Sequence, residues 1–492
     1  MAEIDTHRGD HRPSARLLML FGLIGFCAGL PFYLFSSILS LRLARNGVEL
    51  TVIGFFAWVG LLPTFKFLWA PLVDRFAVPG FARAWGGRRG WIMASQLGIV
   101  AAIVGLALSH PDGSLALTAL WAVLLAFWTT MLEIAADGWR IEVAGDAAMQ
   151  GPIVAANIWG YRAAMVGAGS GVLLIADRAG WVAGYLAMAA VAGAAFLLIA
   201  ATPPERGGGR VVALATGTLA VAAMFAAVAL LLAAVGWLAL SLFTATGLSS
   251  STNVTPWVLA AAMLPFAAMA LAIPAIRRMA PDAPARRSGA IGPYVDFFWR
   301  YGFATLAILA FVALYRMGDV LALTLSKPFV NTLGYSLRAI GVADGVVALA
   351  ASIAGVGLGG WLASRWSAGR TLALGALLAG LGNFAFAWLG TQPQERFALY
   401  AAVAADQFGN GFAATVFVVY LSLLVNPGFA SAQYALLSGF AFLLPRLIGG
   451  SAGAIAADIG YPAFFLLSGA LSLSAIILLP VVLRAQPREV AA

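Results

Sequence analysis

The sequence predicts an all-α polytopic membrane protein with fourteen helices. They form two six-helix halves with an extra pair between them, and both termini are expected on the cytoplasmic side. Three observations predict this. Hydrophobic residues fill 62% of the 492 positions and charged residues only 10%, where a soluble chain carries roughly 25% charged residues. Apolar runs longer than the ~18 residues that mark a transmembrane helix recur along the chain. Arginine gathers in alternate connections between those runs, as it does in loops facing the cytoplasm.

The runs justify the elements in order. The first half carries them near 17–40, 51–73, 91–109, 117–138, 152–176 and 182–202. The second half carries them near 302–325, 339–363, 371–390, 397–425, 433–457 and 463–483. Two more fall near 211–246 and 255–276, followed by the basic, Pro-rich "RRMAPDAPARRSGAIGP", which has loop composition. The implied organisation is an N-terminal tail (1–16), a first half (17–202), a central insert (203–300), a second half (301–484) and a C-terminal tail (485–492). The first run exceeds a signal-peptide core and no small-residue cleavage site follows, so it is expected to be retained. The insert shows no polar signature and is expected to be peripheral.

Counting from an inner N-terminus, the inner connections hold Arg75, Arg83, Arg88, Arg89, Arg140, Arg206, Arg210, Arg277, Arg278, Arg286, Arg287, Arg300, Arg365 and Arg370. The outer ones hold only Arg42, Arg45, Arg178, Lys327, Arg338 and Arg396. That bias accounts for the net charge of +9 and argues against a nucleic-acid partner. The turn "APLVDRF…GGRRG" after the second run has a counterpart, "GGWLASRWSAGR", after the eighth. Repeated halves are the mark of secondary transporters, whose site lies near the midplane between them.

Several chemistries lack residues. Cys27 is the single cysteine and lies inside the first run, where it reads as a small apolar residue. His7, His11 and His110 fall outside the apolar runs with no cysteine near, so no metal site is expected. "GVGLGG" at 355–360 fits a dinucleotide fingerprint, but it sits inside an apolar run with no strand before it. No phosphate-binding GxxxxGK[ST], GxSxG or HExxH occurs. The chain is expected not to be an enzyme and to need no cofactor beyond a proton gradient.

What stands out is charge inside the apolar runs, chiefly "WTTMLEIAADGWRIEV" at 128–143. Glu133, Asp137 and Arg140 are spaced to share one helix face. A charge at the bilayer centre costs ~2.5–3.5 kcal/mol on insertion scales, so such residues face a cavity or a partner. The others are Lys66, Arg162, Arg316, Asp319, Asp344, Asp406 and Arg446. Helix–helix bridging explains any one of them as well as function does; ten together exceed what bridging needs. Lys66 and Lys327 are the chain's only lysines. A mid-span Lys offers a compact, titratable charge that Arg does not. Pairing with Asp74 is its plain alternative. A carboxyl whose surroundings change also changes its proton affinity, which makes Asp137, Asp319 and Asp406 candidates for carrying protons. Arg162, Arg316 and Arg446 suit an anionic substrate or those carboxylates.

Several stretches together resemble one family. They are "GLIGFCAGLPF", "GFFAWVGLLPTFKFLWAPLVDR", "GGRRGW", "EIAADGWRIEV", "GYRAAM", "YRMGD" and "SAQYALLSG" with an Arg following it. These resemble AmpG-type muropeptide permeases of the major facilitator superfamily, across both halves but not the insert. The resemblance implies a proton-driven importer of N-acetylglucosaminyl-anhydro-N-acetylmuramyl peptides in a bacterial inner membrane, serving cell-wall recycling by alternating access. The expected partners are that substrate, protons and membrane lipids. It carries the substrate and proton roles onto Lys66, Glu133, Asp137, Arg140, Arg162, Arg316 with Asp319, and Arg446. Glu133 stands where an Asp is common, and "ADQFGNG", with Asp406 and Asn410, stands where a Glu-Asn pair is expected. Asp74, Arg75, Arg88 and Arg89 fall on the inner-loop motif that governs conformation. Siderophore importers and acetyl-coenzyme A transporters share the resemblance, so another organic anion stays open. A lipid-modifying enzyme is the rival of a different class, and no nucleophile motif supports it.

Overall fold

The computed structural model describes residues 13–48, 58–111, 113–202, 267, 270–280, 283–288, 291–449, 452–485 and 487–488. Helix α1 (Ala15–Tyr33) starts at Ser14, whose hydroxyl accepts the Leu17 N–H at 3.3 Å. A side-chain acceptor there satisfies a first-turn N–H that the helix itself cannot. A π-helical turn, Leu34–Ile38, carries the chain on into α2 (Leu39–Arg45). The second span continues as a 3-10 stretch, Trp58–Leu68, and then α3 (Ala70–Arg75). The short α4 (Phe81–Trp85) leads to α5 (Gly87–Leu108) and α6 (Leu115–Val143).

Helix α7 (Ala147–Ala200) contains two spans, divided where Gly180 takes φ 82°, a conformation open to glycine at little cost. A Cβ on Gly184 would touch Val172, so the chain folds back at that division and the fifth and sixth spans run antiparallel.

The second half follows the same plan. Short helices α8 (Pro284–Arg287) and α9 (Gly292–Tyr301) precede α10 (Ala304–Thr332). Next come α11 (Leu337–Val342), a π-helical turn at Ala343–Val347, and α12 (Ala348–Ala363). Then α13 (Ala368–Leu389), α14 (Arg396–Leu424), α15 (Ala430–Gly449), α16 (Ala452–Ile459) and α17 (Tyr461–Arg484) complete it. Among the described residues, ten helical stretches are long and apolar enough to cross a bilayer. With α7 divided, and with Trp58–Arg75 as the second span, they account for both six-span sets.

The chain ends share one face, here called the terminal face. The Arg488 N–H donates to the Arg300 carbonyl at 3.0 Å, and Pro13 lines a groove with Arg365. Small residues allow the helices to approach. A Cβ on Gly160 would overlap the Gly22 carbonyl oxygen, so α1 and α7 touch backbone to backbone, as membrane helices do at small residues.

The predicted boundaries need four corrections. Arg42 is no loop residue: the first span continues through it. It is buried and donates to the Leu106 carbonyl at 2.7 Å and the Ser109 carbonyl at 2.5 Å, meeting acceptors left over at the end of α5. Arg88 and Arg89 lie in the first turn of α5 rather than ahead of it, and both are buried. The fourth span extends to Val143, so Arg140 lies within a helix. The run at 433–457 is divided between α15 and α16. Of the insert, the run at 211–246 and most of the run at 255–276 lie outside the described residues. The end of the latter is anchored: Ile273 is fully buried in a cluster with Phe297 and Tyr301.

Candidate functional site

Helix α6 brings Glu133, Asp137 and Arg140 to one face, as their spacing requires. Arg140 Nη2 lies 3.2 Å from Asp137 Oδ1. The same guanidinium donates to Gln150 Oε1 at 2.8 Å and, across to the second half, to Ser422 Oγ at 2.7 Å. It also sits over the Tyr434 ring, 5.2 Å from its centroid. A guanidinium this buried needs each of these partners, because charge left alone in an apolar interior costs several kcal/mol, of order.

Lys66 comes from the 3-10 stretch. Its Nζ lies 3.8 Å from Glu133 Oε2 and 3.6 Å from Asp137 Oδ2. The plain alternative, pairing with Asp74, is not what forms. Lys66 instead bridges the two carboxylates of the α6 stripe, and those carboxylates keep 22% and 23% of their side-chain surface exposed. They face a cavity of about 320 Å³ between the halves. Phe32, Thr64, Lys66, Glu133, Asp137, Asn157 and Tyr161 line it from the first half, and Val418, Ser438, Phe442 and Arg446 from the second. Arg446 crosses the seam, donating to the Gly60 carbonyl at 3.1 Å and to Thr64 Oγ1 at 2.5 Å. Arg316 and Arg446 both approach the Phe442 ring, at 5.6 and 5.3 Å from its centroid. Arg316 itself pairs with Asp319 at 2.8 Å behind that wall.

The terminal face is closed below this cavity. Arg88 Nη2 meets Asp74 Oδ1 at 2.7 Å and Glu142 Oε1 at 2.6 Å. Arg88 Nη1 donates to Ser431 Oγ in the second half at 2.8 Å. Asp74 in turn accepts the Ser431 and Ala432 N–H groups at 3.1 and 2.8 Å. These are donors that the first turn of α15 leaves free, and a carboxylate there also meets the positive end of the helix. Gly138 makes the fit possible: a Cβ on it would collide with Ser431 Oγ. Arg89 acts elsewhere, donating to the Ile199 carbonyl at 2.8 Å and holding α5 to the end of α7. Arg75 is exposed.

A larger cavity, about 530 Å³, shares Phe32 with the first and reaches toward the opposite face. Arg162 lines it from the first half, and Asp344 and Asp406 from the second. At its rim Lys327 pairs with Asp344 at 3.2 Å, with 71% and 41% of their side chains exposed. Both π-helical turns adjoin it: Phe32 and Tyr33 precede one, and Ala343 to Gly345 lie in the other. Such turns interrupt the regular ladder and are frequent at functional sites. Asp406 accepts from Gln407 Nε2 at 2.9 Å. Asn410 lines neither cavity. Among the described residues no ion pair joins Lys66–Glu133–Asp137–Arg140 to Arg316–Asp319, or either of these to Arg162 and Asp406.

Sequence reasoning missed Ser422, Gln150, Tyr434 and Phe442, which complete the cluster, and Gly138, which admits Ser431. Gly138 carried a signal, since a lone glycine inside a helical pattern usually has a packing reason. Tyr434 lies in the "SAQYALLSG" stretch, but its partner there could not be read, because Arg140 is distant in sequence; Ser422 and Phe442 carried no signal.

Closed at one face and cavitated toward the other, with charge at the midplane, the molecule has the layout of a transporter. No family model matches the chain. It is 28% identical over 469 residues to the anhydromuropeptide permease of Escherichia coli strain K12, covering 95% of this chain and 79% of that one. It is 26% identical over 466 residues to the putative transporter AmpG 4 of Rickettsia conorii, covering 94% and 95%. The crystal structure of the human organic anion transporter MFSD10 (TETRAN) superimposes with a TM-score of 0.56 at 13% identity, covering 95% of this chain and all of that one. The fold is the major facilitator fold. The resemblance to AmpG-type permeases read from the motifs is borne out over most of the chain. This is a multi-pass membrane protein whose named relatives are a permease and a putative transporter, in keeping with the expectation that it is not an enzyme.

Proposed function

We propose that this major facilitator protein imports anhydromuropeptides across the bacterial inner membrane, coupled to protons and by alternating access. The observation that carries this reading is Lys66, held between Glu133 and Asp137 on the wall of a cavity between the halves. The name of the Escherichia coli relative supplies the substrate class. With the terminal face cytoplasmic, the cavities face the periplasm, which is the loading state of an importer. Substrate enters past the Lys327–Asp344 rim and reaches the midplane, where Arg446 and Arg162 offer charge to its carboxylates and Tyr161 and Phe442 offer faces to its sugar rings. Asp137 takes up a proton when its contacts to Lys66 and Arg140 loosen. The halves then rock about the midplane, as in other repeat-built carriers.

The test is uptake by purified protein in liposomes. A labelled anhydromuropeptide should accumulate under an inward proton gradient and stop doing so when a protonophore is added. Accumulation that ignores the protonophore removes the proton from the mechanism. A ferric siderophore or acetyl-coenzyme A taken up in place of the muropeptide removes the substrate assignment.

A further inference from the structure

A third hollow lies outside the transport path. It is a lateral groove of about 1170 Å³ where α1 and α7 of the first half meet α12 of the second. Met19, Gly22, Pro152, Ala163 and Trp361 line it, and Arg365 stands at its terminal end. Its walls are apolar and face outward: Met19 is 69% exposed, Trp159 41% and Trp361 48%. In a membrane protein such a face meets lipid, and three features select which lipid.

The first feature is depth. The α7 wall runs from Ala148 to Ala163, about 22 Å at ~1.5 Å per residue. Half of a bilayer ~40–45 Å thick, headgroups included, has that depth. The second is charge. Arg365 sits over the Trp361 ring, 4.5 Å from its centroid. No carboxylate lies within ion-pair distance of it among the described residues. Ser364, beside it, also lines the groove. A cation, a hydroxyl and an interfacial tryptophan at the mouth of an apolar slot match a phosphate with a chain below it. The third is position. The walls belong to different halves and are joined by Trp159 Nε1 donating to the Ile353 carbonyl at 3.0 Å. Whatever fills the groove bridges the seam while the terminal face is closed.

We infer that the groove binds one anionic phospholipid from the leaflet at the terminal face, with an acyl chain between α1, α7 and α12 and its phosphate at Arg365. The inference is independent of the transported substrate.

The experiment is native mass spectrometry of delipidated full-length protein offered equal phosphatidylglycerol and phosphatidylcholine with identical chains. Wild type should retain phosphatidylglycerol about fivefold over phosphatidylcholine, the ratio expected of one Arg near an anionic headgroup. Arg365→Gln should abolish the preference while keeping bound lipid. Ala163→Trp should lower retention of both lipids by filling the slot. If that variant does not elute as folded protein, Ala163→Leu carries the same arm. Equal retention by wild type, or a preference that survives Arg365→Gln, overturns the proposal. So does retention that rises several-fold on deleting residues 1–12, which would make the chain's own tail the occupant.

Discussion

The Asp74 carboxylate accepts the Ala432 N–H at 2.8 Å across the seam between the halves. Arg88 holds the same carboxylate from behind at 2.7 Å. The first half thus grips the start of a second-half helix by its unpaired backbone donors, and this grip helps to close the terminal face. Asp74→Ala removes it. Hydrogen bonds to a charged group contribute about 1.5–3 kcal/mol, so the open population should rise roughly 10–100-fold. Ser438→Cys, at the cavity wall, should then be alkylated from the terminal side at least about tenfold faster in the Asp74→Ala background. An unchanged rate would mean that the remaining cross-seam bonds close the face alone.

Lys66 lies between two carboxylates on the cavity wall, and with Arg140 it balances their charge. Lys66→Gln leaves Glu133 and Asp137 facing each other with one fewer cation, and uptake should fall by at least about tenfold. Adding Glu133→Gln removes the surplus charge. Protein yield should then recover and uptake should not. Recovery of both would reduce Lys66 to a packing role.

Asp137 touches both Lys66 and Arg140. Asp137→Asn keeps its shape and removes its titration. The expected variant inserts and binds substrate yet does not concentrate it under a proton gradient. Loss of affinity as well would place Asp137 on the substrate instead. Poor insertion rescued by Arg140→Gln would make it a structural ion pair, and wild-type accumulation would exclude both functional roles.

Gly160 lies against the Gly22 backbone. Gly160→Leu should push α1 from α7 and destabilise the first half by about 1–3 kcal/mol, the usual cost of overpacking. Thermal unfolding in detergent reads this directly. A melting temperature equal to wild type would show that the crossing gives way without cost.

The orientation rests on the arginine bias. Ser367→Cys, between α12 and α13, should be labelled from the cytoplasm, and Thr391→Cys, after α13, from the periplasm. Both positions are exposed. Labelling of both from one side would overturn the topology through the second half.

The sequence by itself determined the class of molecule and the positions of its charges. A membrane excludes water from backbone groups, so long apolar runs must be helices; run length therefore gave the spans, though not their ends. A charged side chain in such a run is costly, so Glu133, Asp137 and Arg140 were visible as a stripe from spacing alone, of which the two carboxylates face the cavity. Which partners those charges would take was decided only in three dimensions. Lys66 reaches Glu133 and Asp137 rather than Asp74, because the 3-10 stretch packs against α6 while Asp74 is held by Arg88 and α15. Arg42 and Arg89 looked like loop charges and are buried caps on carbonyl groups. Ser422, Ser431 and Tyr434 have no charge to mark them, although the last two lie in the "SAQYALLSG" stretch; packing of the two halves brings them to the site. Linear sequence records what each residue costs in lipid, and tertiary packing decides which neighbour offsets that cost.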